Sequence, residues 1–364
     1  MQYNILTNKW RPQIFDEVIG QKYILKILKN SIDTGKIHHA WLFTGIRGIG
    51  KTTLARILAK SLSCIKKITS TPCRICNHCI SIEQGKFLDF IELDAASRTR
   101  IEDIKIILDS IHYKPIKGRF KIYLIDEIHM LSKHSFNALL KTLEEPPQHV
   151  KFILATTEIE KLPYTIRSRC LQLHLQPITE KNIYNLIKKI LKKEKINVES
   201  EAIELLSQNS SGSIRDAINM TELILSSSQK SKITYTYVTK LLGICDSKNI
   251  IKIIQYILKK DLKNIFKLLD LIENLGFSLE NLLIKIIQFF HYISLLQTTS
   301  LNIYKKFKKS FQNIEKIHIL SKKISFKKIQ KYYKILILGR KNLKYAPNIR
   351  IGIEIIFLQI YYEI

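Results

Sequence analysis

Acidic residues are scarce in this chain. Its 364 residues hold 31 Asp and Glu against 59 Lys and Arg, a formal net charge of +28. That imbalance excludes an acidic, solvating protein and leaves two readings. One is a polyanion partner, most simply nucleic acid. The other is genome composition: the chain is rich in Ile, Lys and Asn, whose codons are A- and T-rich, and Lys is then inflated without selection for binding. Long apolar runs are missing too. No uninterrupted stretch of about 18 apolar residues occurs, so no membrane span is expected. The apolar segment Ile351 to Tyr362 is broken by Glu354 and Gln359 and reads as a buried helix. Met1 to Pro12 has no apolar stretch of signal-peptide length, which points to a reducing, cytoplasmic compartment. There is no internal repeat and no long disordered linker.

What is present suits a globular chain of two or three domains, with 46% apolar residues to build its cores. Residues 1–178 alternate short apolar runs with helical patterns. Candidate strands are Ala40–Thr44, Asp89–Leu93, Lys121–Ile125, Phe152–Thr156 and Leu171–Leu175. Strand, polar turn, then helix is the pattern of a parallel sheet covered by helices. Beyond Pro177 helical periods take over. In residues 179–243, Ile183, Leu186, Ile187 and Ile190 share one face. Ala202, Leu205 and Leu206 form a second, and Ala217, Met220 and Leu223 a third. This reads as a small helical lid. Residues 244–364 form a third, helical unit, clearest in the stripe Leu279 to Ile293 after the cap Ser278. Within it, residues 305–344 carry fourteen Lys or Arg and one acid, Glu315, a pattern expected of a solvated helix face.

Two elements carry phosphate chemistry. Gly45-Ile46-Arg47-Gly48-Ile49-Gly50-Lys51-Thr52 lies between the apolar run Ala40–Phe43 and the helical pattern from Thr53. A strand, a glycine-rich loop and a helix in that order form a phosphate-binding loop. The glycines let backbone N–H groups face the phosphates, and the helix N-terminus adds its dipole. Lys51 reaches the β- and γ-phosphates, and Thr52 offers its hydroxyl to Mg²⁺. The second element is Lys121 to Glu127, an apolar strand ending in two carboxylates. Asp126 is placed to hold Mg²⁺ and Glu127 to act as general base on water. ATP binding and hydrolysis are therefore both expected.

Four of the six cysteines cluster. Cys64, Cys73, Cys76 and Cys79 have two-residue spacers between the last three, so neighbouring thiolates converge on one ion. A closed Zn²⁺ site of structural type is expected, with iron–sulfur ligation as the rival.

Taken in order, the phosphate loop, the Asp-Glu pair and the four-cysteine insertion resemble the AAA+ clamp loaders of bacterial replication, closely the gamma/tau group of DNA polymerase III subunits. Further stretches carry the resemblance: Lys9-Trp10-Arg11-Pro12, Val18-Ile19-Gly20-Gln21, Glu92 to Thr99, His129-Met130-Leu131-Ser132 and Asn137 to Pro147. It implies an α/β AAA+ P-loop domain, with helices on both sheet faces and a zinc-module insertion. A helical lid and an all-helical oligomerisation collar would follow. It also implies an ATPase that loads the beta sliding clamp onto primed DNA within a ring of delta- and delta-prime-like subunits. Ending at Ile364, the chain resembles the short, gamma-like form.

Site roles follow from the same resemblance. Arg11, Val18 and Ile19 would line the adenine pocket, and Thr53 would follow Thr52 at the loop. Thr157 would sense the γ-phosphate at a strand end, and Arg215 would do so from the lid. Arg169, in Ser168-Arg169-Cys170, would act as an arginine finger in a neighbouring subunit's site. For DNA, Arg98, Thr99 and Arg100 precede a helical stretch, Ile101–Leu108, where hydroxyls and arginines at a helix start suit a phosphate. Lys141 is a second candidate. Two other classes compete: a ring helicase or branch-migration motor, and a clamp-loader scaffold that does not hydrolyse ATP. Lys51, Thr52, Asp126 and Glu127 argue against the scaffold, and the cysteine insertion and Ser-Arg-Cys motif against the helicase.

Overall fold

The computed structural model describes residues 6–97, 110–227, 233–243, 247–298 and 324–362. The chain forms two compact units, Met1–Asn197 with Ile203–Gln229, and Val198–Ala202 with Lys230–Ile364. The expected DNA residues Arg98, Thr99 and Arg100, and the helix expected after them, lie outside the described residues.

The first unit is built on a five-stranded sheet. The strands are β1 (Ala40–Thr44), β2 (Phe90–Asp94), β3 (Lys121–Asp126), β4 (Val150–Thr156) and β5 (Leu171–His174). They run in the order β2-β3-β4-β1-β5, and every pairing is parallel. All residues of β1 and β4 are buried, as central strands covered on both faces must be. The register brings the strand ends level: Thr44 lies opposite Thr156 and His174, and Asp94 opposite Asp126. The loops that follow β1, β3 and β4 therefore leave the sheet along one edge.

Two strand starts differ from expectation for local reasons. Asp89 stays outside β2 because its buried carboxylate accepts N–H bonds from Ile116, Lys117 and Gly118 at 2.7, 2.7 and 2.6 Å. β4 begins two residues early and includes Lys151. That side chain is buried with its ammonium 5.2 Å from the Phe120 ring centroid, so its stem serves as apolar surface.

Two helices of the expected lid belong wholly to the same unit. Helix Glu180–Lys193 follows the cap Thr179 and buries Ile183, Leu186, Ile187 and Ile190, as its period predicts. Helix Ile214–Ser227 is rotated from expectation. It buries Ala217, Ile218, Thr221 and Ile224, while Leu223 is 47% exposed. Its phase is set by the N-terminal turn Leu6–Lys9: Leu6 packs with Leu186, Ile190 and Ile218.

The second unit is helical: Tyr235–Leu241, Ser247–Lys259, Leu262–Asn274, Leu279–Thr298, Phe326–Asn342 and Ile349–Tyr362. Ser278 caps the fourth helix, accepting from Asn281 N–H at 3.2 Å. This helix is long and apolar enough to cross a membrane by length and composition, yet Leu282, Ile286, Phe289, Phe290 and Ile293 are core side chains of the unit. Helix Ile349–Tyr362, expected to be buried, is so on one side only. It buries Gly352, Ile353, Ile356, Phe357 and Ile360 but exposes Ile349, Ile351, Ile355 and Tyr362. The described part of the basic window places Lys327, Lys331 and Lys334 at the surface.

Candidate nucleotide site and metal cluster

The loop between β1 and the helix Lys51–Ser63 (the loop helix) is shaped by its glycines. Gly45, Gly48 and Gly50 all have positive φ, where a side chain is strained. At Gly48 an added Cβ would also lie 2.2 Å from Ser213 Oγ. The loop is thus pressed against the start of the lid helix, and Arg215 N–H donates to Gly48 C=O at 3.1 Å.

A cleft of about 540 Å³ opens over this loop, within the range of small-molecule sites. Of the residues anticipated from sequence, Arg47 to Thr53, Asp126, Glu127, Thr157 and Arg215 line it, as do Arg11, Val18 and Ile19. Gly45 and Ile46 are not among its lining residues. Their carbonyls instead accept from Lys51 Nζ at 2.9 and 3.3 Å. Lys51 is only 5% exposed, and burial presses its ammonium below the usual lysine range, against the pull of Glu127 and Asp126.

Thr52 Oγ1 donates to Asp126 Oδ2 at 2.6 Å. These two oxygens stand where a divalent cation would be shared. Glu127, at φ 48, turns its carboxylate toward the end of β4. There Oε2 accepts from both Thr157 N–H, at 3.0 Å, and Thr157 Oγ1, at 2.9 Å. His129, unassigned by the sequence, lies beside it, with Nδ1 3.0 Å from Thr156 Oγ1 and 3.4 Å from Glu127 Oε2. At the other end of the cleft, Arg11 is pressed below its usual range by burial first and by the neighbouring Arg56 next. The walls nearby are Trp10, Val18, Ile19, Ile214 and Ile218. Cations and apolar walls flank one another, as a nucleotide's phosphates and base require. Trp10 lies in a stretch that carries the resemblance but is given no role by it, and Ile218 lies in no such stretch. Only contact between the N-terminal turn and the lid reveals them.

At the far end of the loop helix lies the cysteine cluster. The Sγ atoms of Cys64, Cys73, Cys76 and Cys79 all lie within 4.8 Å of one another. Four thiolates at about 2.3 Å from one tetrahedral ion would be about 3.8 Å apart, so the set fits a single ion. A cube of iron and sulfide atoms would hold its thiolates farther apart. Arg74, at φ 62, makes the turn that aims the N–H groups of Ile75 and Cys76 at Cys73, and these lower its thiol to about 6. Burial raises that of Cys79. A metal here would displace protons. His78 is engaged elsewhere, with Nδ1 2.8 Å from Ser63 C=O.

Besides Gly45 and Ile46, the anticipated residues Arg169 and Lys141 lie outside the cleft lining. Arg169 bonds the carboxylate of Glu144 at 2.6 Å and the carbonyl of Thr165 at 2.8 Å. Lys141 is exposed on the helix Lys133–Glu144.

Three family models match the chain. They describe the delta subunit of DNA polymerase III over residues 20–179, the ATPase lid domain of its clamp loader subunit over 182–229, and domain III of its gamma and tau subunits over 233–364. DNA polymerase III subunit gamma of Buchnera aphidicola subsp. Schizaphis graminum is 50% identical, over 100% of this chain and 99% of that protein. Subunit tau of Escherichia coli K12 is 44% identical over 99% of this chain, which spans 55% of that longer protein. Among solved structures, a point variant of RuvB from Thermotoga maritima superposes with a TM-score of 0.50 at 25% identity, covering 76% of this chain and 91% of that one. The RuvB likeness places the sheet and lid among AAA+ folds. The stronger likeness, along the whole chain, is to the replication subunits. The chain belongs to the gamma and tau subunits of DNA polymerase III, the AAA+ ATPases of the bacterial clamp loader.

Proposed function

We propose that this chain binds and hydrolyses ATP in a ring with delta- and delta-prime-like subunits, loading the beta clamp onto primed DNA in the cytoplasm. The observation that carries the reading is the convergence of Lys51, Thr52, Asp126 and Glu127 on one cleft, with Thr157 and Arg215 also lining it. In this reading the triphosphate lies along the loop N–H groups, and Lys51 exchanges its two carbonyl partners for β- and γ-phosphate oxygens. Thr52 and Asp126 hold Mg²⁺, which neutralises phosphate charge when bound. Arg11, Val18 and Ile19 face the adenine.

Thr157 then has two roles. Its N–H and hydroxyl both hold Glu127, and a γ-phosphate oxygen that captures the hydroxyl draws Thr157, with both donors, away from that carboxylate. Glu127, released, accepts a proton from the water attacking the γ-phosphorus, and ADP is the leaving group. Arg215 contacts the γ-phosphate from the lid. Arg169 leaves Glu144 to reach a neighbour's site. Residues 1–178 are the ATPase domain with its module at 64–79. Residues 179–243 are the lid, and 244–364 the collar. The four cysteines hold a structural Zn²⁺, and Arg98, Thr99, Arg100 and Lys141 meet DNA phosphates.

The test is ATP hydrolysis by the chain alone and in a reconstituted ring, with and without clamp and primed DNA. Strong stimulation by the full set is expected. In that ring, Arg169→Ala lowers hydrolysis by about a thousandfold and leaves ATP binding intact. DNA unwinding by the chain without any clamp would sink the reading.

A further inference from the structure

The segment Arg11 to Ile19 forms one wall of the nucleotide cleft, with Arg11, Pro12, Val18 and Ile19 all lining it. Phe15, 1% exposed, plugs its midpoint into the core. The two sides of this strap are aimed by polar contacts. Gln13 uses both ends of its carboxamide. Its Nε2 donates to Arg11 C=O at 3.1 Å, and its Oε1 accepts from Lys60 Nζ. On the other side, Glu17 accepts from Gln13 N–H at 2.7 Å and from Arg74 Nη1 at 3.3 Å.

Lys60 and Arg74 lead to the cysteine module. Lys60 sits on the loop helix, 2% exposed, and its second partner is Glu83 at 3.1 Å. Glu83 ends the helix Asn77–Glu83, which carries Cys79 near its start. Arg74 lies in the turn between Cys73 and Cys76. One fastener of the strap is therefore a residue of the cysteine module, and the other is a lysine clamped by the end of the helix that carries Cys79. Between Gln13 and the loop helix lies a second cavity of about 330 Å³, lined by Arg11, Gln13, Arg56, Lys60 and Glu83 among others. Phe15 seats the strap's midpoint, and beside this cavity these hydrogen bonds aim the arm that carries Arg11. The Arg74–Glu17 pair is half-exposed and weak alone. Lys60 itself is buried, and leaving its ammonium half-satisfied is costly, while Glu83 is 39% exposed.

We infer that metal occupancy of the four-cysteine module sets how tightly the cleft holds the base end of its nucleotide, with Gln13, Lys60, Glu83, Glu17 and Arg74 as positioning residues. The inference rests on the nucleotide and metal readings above. An ion on the thiolates fixes the Arg74 turn and the helix that aims Glu83. Without it, both fasteners loosen and the strap carrying Arg11, Val18 and Ile19 drifts. The phosphate loop is held separately, at the opposite end of the loop helix.

The test is calorimetric binding of ADP and of pyrophosphate to the full chain, zinc-loaded and chelator-stripped, with metal content measured on each sample. Stripping should weaken ADP binding by about five- to tenfold and change pyrophosphate binding less than about twofold. In the zinc-loaded protein, the double variant Glu83→Gln, Arg74→Ala should weaken ADP binding in the same direction. Further stripping of it should then add little, because the fasteners are already cut. Unchanged ADP affinity in stripped protein would overturn the inference, and so would a parallel loss of ADP and pyrophosphate, which signals general loosening. A loaded protein that binds no ADP at all would instead overturn the nucleotide reading beneath it.

Discussion

The loop helix Lys51–Ser63 ends in two sites of opposite character. At its N-terminal end the polar groups are already paired with one another. Lys51 bonds two loop carbonyls, Thr52 bonds Asp126, and Glu127 takes two bonds from Thr157. At its C-terminal end four sulfurs crowd together, with backbone N–H groups of the same turn aimed at them. The first site is satisfied without its ligand, and binding there exchanges partners. The second gathers groups that become anions as they ligate, and its closeness makes sense only around a cation. Nucleotide should therefore govern activity with little effect on folding, and metal should govern folding of this region first.

Lys51→Ala tests the first half and has the largest expected effect. Nucleotide binding should fall below detection, since the point charge on the β- and γ-phosphates is gone. The melting temperature should stay within about 2 °C. The variant loses two hydrogen bonds but also removes a cation that burial disfavours. Normal nucleotide affinity would remove the loop from the site. A collapse of stability would show that the N-terminal end is no more self-sufficient than the other.

Metal removal tests the second half. Chelation should lower the melting temperature by about 5–10 °C, as expected for a loss of a few kcal/mol in a unit of this size. Saturating ADP should raise the melting temperatures of loaded and stripped protein alike by mass action, without closing the gap between them. An unchanged melting temperature in demonstrably metal-free protein would erase the contrast.

The two ends also differ in how much of them could be read from the sequence. The phosphate loop and the cysteine cluster are local: eight consecutive residues and sixteen. Their chemistry is written in spacing, as are the central strands, whose continuous apolar runs have few alternatives. What joins them is not local. Gln13 meets Lys60 from 47 residues away, and Glu17 meets Arg74 from 57. A single Gln or Arg carries no period or motif. The same holds for the Thr157–Glu127 bonds and for His129, which depend on β3 and β4 lying side by side. The phase of the lid helix Ile214–Ser227 is hidden for a related reason, since Leu6 decides which face is covered.

Thr157→Val is the finest probe of the self-paired end. Valine keeps the shape of the side chain and the backbone N–H but removes the hydroxyl. Glu127 Oε2 now accepts from both donors of Thr157. In the variant the N–H bond survives, and the γ-phosphate loses the hydroxyl through which it would draw Thr157 away. Glu127 then stays turned toward β4 in the presence of ATP. Hydrolysis should fall by about ten- to a hundredfold, part of what a general base contributes, with ADP affinity and melting temperature unchanged. Adding Glu127→Gln should lower the rate little further, because both substitutions silence the same carboxylate. If Thr157→Val hydrolyses ATP at the parent rate, the paired carboxylate is a bystander. If the two substitutions multiply, Thr157 acts on the γ-phosphate independently of Glu127.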